Sequence, residues 1–187
     1  MSSDASPRPL STLLTVVGCG VAYAVFFLLN HLMFNHLEFA RGVNWVFLPS
    51  GLRLSLVLVF LEWGALGIAL ASICISWFAY SLPPVHALVI GSISGLAPWV
   101  ARRLCLDWLK MDPDIQHLNP GQLLQLAVIF AVISPVMHQL WFVWTGLNTD
   151  FLQGTLVMIV GDLLGTLLIL FTLRLLILWL RRPHVPV

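Results

Sequence analysis

"WVFLPSGLRLSLVLVFLEWGALGIALASICISWFAY", residues 45–80, is one long apolar stretch with a single acid, Glu62, near its centre. A helix rises about 1.5 Å per residue, so crossing a hydrocarbon core of about 30 Å takes about 20 residues. The stretch is too long for one comfortable crossing and too short for two ideal ones. Glu62, Trp63 and Gly64 place a charge, an interfacial aromatic and a flexible residue side by side, which marks a break. We read two short spans, about 46–61 and about 64–80, with Pro49 kinking or opening the first. A turn at the break lets Glu62 reach water, whereas one merged helix would bury it at a cost of about 2.5–3.5 kcal/mol.

The rest of the chain has the same character. Of 187 residues, 59% are hydrophobic and 9% charged, and the mean hydropathy is +0.96. Soluble domains carry about 25% charged residues, and a soluble fold of this length could not hide so much apolar surface. The solvent is therefore lipid, and the fold class is an all-α, polytopic transmembrane bundle forming a single integral membrane domain over residues 1–187. The net charge of +1 excludes a nucleic-acid surface. Cys19, Cys74 and Cys105 show neither a disulfide framework nor zinc spacing and read as small apolar side chains.

Working outward from residues 45–80, the uncharged run from Pro9 to Leu37 is too long for the core of a cleaved leader and reads as a retained span, Leu10 to about Phe34. "SLPPVH" turns the chain, because two prolines cannot continue a helix. Further spans are expected at about 85–101, 121–144 (with Pro135 inside) and 152–179. Residues 102–120 form the long polar connection, read as an ordinary cytoplasmic loop in preference to a surface helix. Six spans put Arg8, Arg102, Arg103, Lys110, Arg181 and Arg182 on one side, leaving Arg41, with Arg53 in the outer half, toward the other. The positive-inside bias makes the first side cytoplasmic, with both termini there. Merging spans two and three gives five, with the N-terminus outside.

Ionisable residues at bilayer depth are paired or line cavities. Arg53, Glu62, His138 and Asp162 are the candidates. Asp162 lies in the middle of "LVMIVGDLLGTLLILFTLRLL", residues 156–176, and an ion pair with Arg53 would neutralise both charges. That pair serves either helix packing or ligand binding. Gly161 and Gly165 flank Asp162 at GxxxG spacing, and Gly91 and Gly95 repeat it, a pattern expected to let helices approach closely. His138 follows Pro135 and reads as a hydrogen-bonded interior histidine. In "NHLMFNHLEF", His31, Asn35 and Glu38 share a helical face but His36 does not, so no complete metal-ligand set results. GxSxG, HExxH and Walker patterns are missing, so no catalytic residue, enzyme activity or cofactor is assigned.

Two stretches carry a family resemblance: Trp45, Pro49 and Gly51 in "NWVFLPSGLR", and Gly161, Asp162 and Gly165 in "VGDLLG". With these the chain resembles the membrane-associated sensor domains of the first-described MASE class, which precede bacterial diguanylate cyclases and histidine kinases. The resemblance implies a sensor-like binding module. Family domains usually have more spans and a cytoplasmic output domain, whereas this sequence stops at "RRPHVPV". The expectation is a minimal module acting through a partner membrane or signalling protein, with homo-oligomerisation open. The alternatives are a substrate-binding subunit of a small-molecule transporter, comparable in size to those of energy-coupling-factor importers, and a non-sensing scaffold.

Overall fold

Leu48–Phe78 is helical almost throughout, yet it does not run straight. In the computed structural model, which describes residues 9–112 and 118–180, Leu61 leaves helical geometry at φ 52° and ψ −128°. A Cβ placed on Gly64 would lie 2.6 Å from the carbonyl oxygen of Leu56. Eight residues of continuous helix would hold those positions about 12 Å apart. Farther from the bend, the Phe27 ring sits 6.5 Å from Phe47 and 5.9 Å from Tyr80, two positions that a straight helix would separate by about 50 Å. The element is a helical hairpin.

Around it stand α1 (Pro9–Phe34), α3 (Pro84–Trp108), α4 (Pro120–Trp144) and α5 (Phe151–Leu180), with the hairpin as α2. Five helices among the described residues are long and apolar enough to cross a membrane. Because α2 is folded, they supply six rods. The expected break at Glu62–Gly64 is thus a turn centred on Leu61, with Glu62 and Trp63 exposed at its tip. Pro49 opens the first arm, 48–60, rather than kinking it. The arms 48–60 and 62–78 are about 20 and 25 Å long.

Six rods return the chain to the face it started from. The connections 35–47, 79–83 and 145–150 share one face, the upper: Arg41, Tyr80 and Leu147 line one cavity there. The hairpin tip, residues 109–112 and 118–119, and the outer ends of α1 and α5 share the lower face. Arg102, Arg103 and Lys110 lie at the lower face and Arg41 at the upper. The polar connection expected over 102–120 is shorter, since α3 continues to Trp108. The two arginines do not stop the helix; Arg103 lays its guanidinium 5.3 Å from the centre of the Trp99 ring and stays wet at its tip.

One segment at membrane depth is not helical. After a single 3-10 turn, β1 (Glu38–Ala40) pairs antiparallel with β2 (Val43–Asn44). Gly42, at φ 76°, makes the turn between them, a conformation that costs glycine nothing. The chain then dips into the bundle as an extended lead-in to α2. Such backbone survives away from water only if its polar groups find partners in the protein. They do: Trp45 N donates to Leu37 O at 3.1 Å, Phe47 N to Gly161 O at 3.2 Å, and Leu48 N to the Asn30 side chain at 2.8 Å. At the lower face α4 starts with a reciprocal capping box between Asn119 and Gln122.

Apolar side chains fill the interior in a lower and an upper cluster, with a third, of Tyr23, Val57 and Ile68, between α1 and α2. The lower contains Leu54, Ala97, Leu126 and Phe130, and the upper Val43, Ile90, Phe142 and Val157. Outward faces carry large exposed apolar side chains, such as Leu13, Val21, Leu66, Leu88, Leu140 and Leu164. In water this would be an untenable surface, and in a bilayer it is the wetted one.

Candidate functional site

The two halves of the sequence motif meet. A Cβ on Gly161 would overlap the carbonyl of Asn44, and one on Gly165 the carbonyl of Phe47, close to the Leu48 nitrogen that starts the first arm. Gly161 admits the lead-in rather than a helix, which corrects the expectation there, while Gly165 lies where the lead-in and the first arm meet α5. Gly91 and Gly95 do pack against a helix, facing Ala69, Ile73 and Ala65 of the second arm. One turn into the first arm, a Cβ on Gly51 would stand 2.8 Å from Gly165 O, and Ser50 and Thr166 share a hydroxyl contact of 3.2 Å.

This docking brings Arg53 onto Asp162. Arg53 is 2% exposed and Asp162 1%. A single nitrogen, Nη2, approaches both carboxylate oxygens, at 3.3 and 3.4 Å, and the Ser134 hydroxyl of α4 at 3.3 Å. The pairing is therefore not the two-nitrogen fork that arginine makes with a carboxylate at its strongest. Phe47 and Phe130 cover the guanidinium, their ring centres 5.5 and 5.4 Å from Cζ. Arg53 Nε is buried without a partner.

From Ser134 the polar contacts continue across the bundle. His138 Nδ1 donates to Ser134 O at 2.8 Å, which leaves Nε2 to accept from Ser94 Oγ at 3.4 Å. Ser94 in turn takes a hydrogen bond from Ser72 of the second arm at 3.0 Å. Both arms, α3, α4 and α5 are thus joined by one buried polar chain ending at Asp162.

Above this chain lies a cavity of about 70 Å³. Its base is formed by Arg53, Ser72, Ser94 and His138, and Tyr23 of α1 closes one side. Arg41, Gly42, Tyr80 and Leu147 form the rim at the upper face, and most of the remaining wall is apolar. The lining contains two arginines and no carboxylate. Chemically it is a small apolar chamber with donors at its floor, a form suited to binding.

Of the four ionisable candidates, Arg53, His138 and Asp162 come together, whereas Glu62 stands apart at the hairpin tip. Trp45 is exposed, its indole edge-on to Phe39 at 6.5 Å; its backbone, not its ring, touches the site. Glu38 gives its carboxylate to Gly42 N at 2.8 Å, and His31 and His36 are exposed. Sequence reasoning missed Asn30, Ser72, Ser94 and Ser134, which satisfy the chain's polar groups. It also missed Gln139, which is fully buried and accepts from Asn148 at 2.9 Å.

The family model for MASE1, a family of membrane-associated sensor domains, matches residues 12–185, nearly the whole chain. The chain belongs to the MASE1 family. Searches of curated proteins and of solved structures find no match. As a MASE1 domain it is a multi-pass membrane module of sensory type.

The docking of the two motifs makes a stability prediction. Gly165→Ala should lower stability in detergent by about 1–3 kcal/mol or more, because a backbone carbonyl must move to admit the methyl. Gly18→Ala, where a Cβ would meet nothing within 4 Å, should be neutral or gain up to about 1 kcal/mol. Thermal unfolding of both variants checks this. Equal stability would mean that the lead-in does not rest on α5.

Proposed function

We propose that this MASE1 domain is a sensing module of a bacterial inner membrane. Its upper face is extracytoplasmic and both termini are cytoplasmic, which follows from the bias of basic residues to the lower face. A small solute enters the cavity from the upper face and changes the balance of contacts at Arg53. The domain performs no chemistry itself; α5 carries the change to a partner signalling protein.

The observation that carries this reading is the double use of Arg53. The same side chain lines the cavity and clamps α5 through Asp162. A ligand can shift a conformational equilibrium only by its differential affinity for the two states. Contact with Arg53 supplies such a difference, since any acceptor there competes with or reinforces the pull of Asp162.

Affinity purification of the tagged full-length chain from its native membrane tests the assignment. Recovery with a histidine kinase or diguanylate cyclase, or a neighbouring gene for one, is expected. An ATPase or a coupling membrane protein in its place would make the chain a transporter subunit, and neither kind of partner would favour a scaffold.

A further inference from the structure

We propose that the cavity takes a small organic monoanion, a carboxylate carried on an apolar body and seated on the free edge of Arg53. This rests on reading the cavity as the ligand site of the sensor.

The guanidinium has donors only. Phe47 and Phe130 lie against it, and Nη2 is taken by Asp162 and Ser134. Nε is buried without a partner, and the side chain lines the cavity. A small shift of the guanidinium edge would therefore let an acceptor in the chamber reach it, and a charged acceptor makes the stronger bond. Charge in the lining favours an anion as well. Asp162 and Glu38, the latter bonded to Gly42 N at the rim, both lie outside the lining, whose own side chains hold two cations and no carboxylate.

The walls set the rest of the ligand. Phe27, Ile75, Leu82, Phe142 and Met158 are apolar, and their desolvated surface would repel a fully hydrated ion. A dianion such as phosphate would have to shed its hydration shell against those apolar walls, and two of the three lining serines, Ser72 and Ser94, are already bonded to each other and to His138. A single carboxylate on a ring or short chain matches both parts of the chamber. Water is the competing occupant, because the polar floor of a chamber of this size can hold several molecules.

The full-length protein, purified in detergent, would be heated with benzoate, with benzamide (the same shape without the charge) and with inorganic phosphate. Tryptophan fluorescence reads the unfolding midpoint. Benzoate should raise the midpoint saturably, and the other two should not. Arg41→Gln, at an exposed rim position, should weaken benzoate binding a few-fold. Arg53→Lys, which keeps the charge but loses the planar fork, should weaken it by about ten-fold or more. If benzamide stabilises as well as benzoate, the anion assignment fails while the cavity remains a ligand site. If phosphate matches benzoate, the apolar body is wrong. A benzoate shift untouched by both arginine variants places the probe elsewhere and overturns the proposal, as does no shift with any of the three. Failure of the sensor reading would show separately, in the identity of the co-purified partner.

Discussion

Asp162→Asn is expected to destabilise the detergent-solubilised domain by about 3–5 kcal/mol, and Arg53→Gln by a similar amount. Each single change leaves one charge, or its orphaned neighbours, buried inside the bundle. Asp162→Asn leaves the buried Arg53 guanidinium without its counter-charge, with only neutral acceptors, the new amide oxygen and the Ser134 hydroxyl, in reach. Arg53→Gln strands the carboxylate, which is 1% exposed. The double variant should cost less than the sum of the singles by about 0.5–3 kcal/mol, because two amides can hydrogen-bond without charge. A double-mutant cycle on unfolding midpoints measures the difference. Additive losses would mean that the 3.3 Å approach of Nη2 to Asp162 carries no coupling, and α5 would then lack its proposed link to the cavity.

The pair was legible in the sequence because charge in hydrocarbon is costly enough to demand an answer. One base and one acid at compatible depth leave few alternatives. The hairpin was legible for a related reason: length alone forbids both one helix and two full ones over 45–80, and Glu62 marks where water must be reached. Ser72, Ser94, Ser134 and Asn30 were not legible. Serine in an apolar helix can bond its own preceding turn, as Ser55 does with Gly51 O at 2.8 Å, so its presence signals no partner on another helix. The partner of the Gly161–Gly165 pair was hidden too. Small residues four apart report only that something comes close, and here it is the non-helical lead-in 44–47 together with the start of the first arm. The end of α3 was misjudged because Arg102 and Arg103 look like a stop, yet long basic side chains reach water from inside a helix.

The fold itself is tested by where position 62 can be reached. In a background lacking Cys19, Cys74 and Cys105, single cysteines at Arg41, Glu62 and Lys110 would be probed with an impermeant thiol reagent. All three positions are exposed, so labelling depends on the side of the membrane rather than on burial in the protein. The cysteine at 41 should react in intact cells, and those at 62 and 110 only after the membrane is opened. The expected effect is close to all or none, because a thiol on the far side is shielded by the full bilayer. A straight helix over 48–78 would hold position 62 at mid-membrane, about 20 Å from either end, and leave it unlabelled in both conditions. Labelling of 62 and 110, but not 41, in intact cells would keep the hairpin and reverse the orientation. The cavity would then open to the cytoplasm, and the ligand would come from there. Only protection of 62 in opened membranes contradicts the fold, since the contact between Gly64 and Leu56 requires the chain to turn at Leu61 and to carry Glu62 to the lower face.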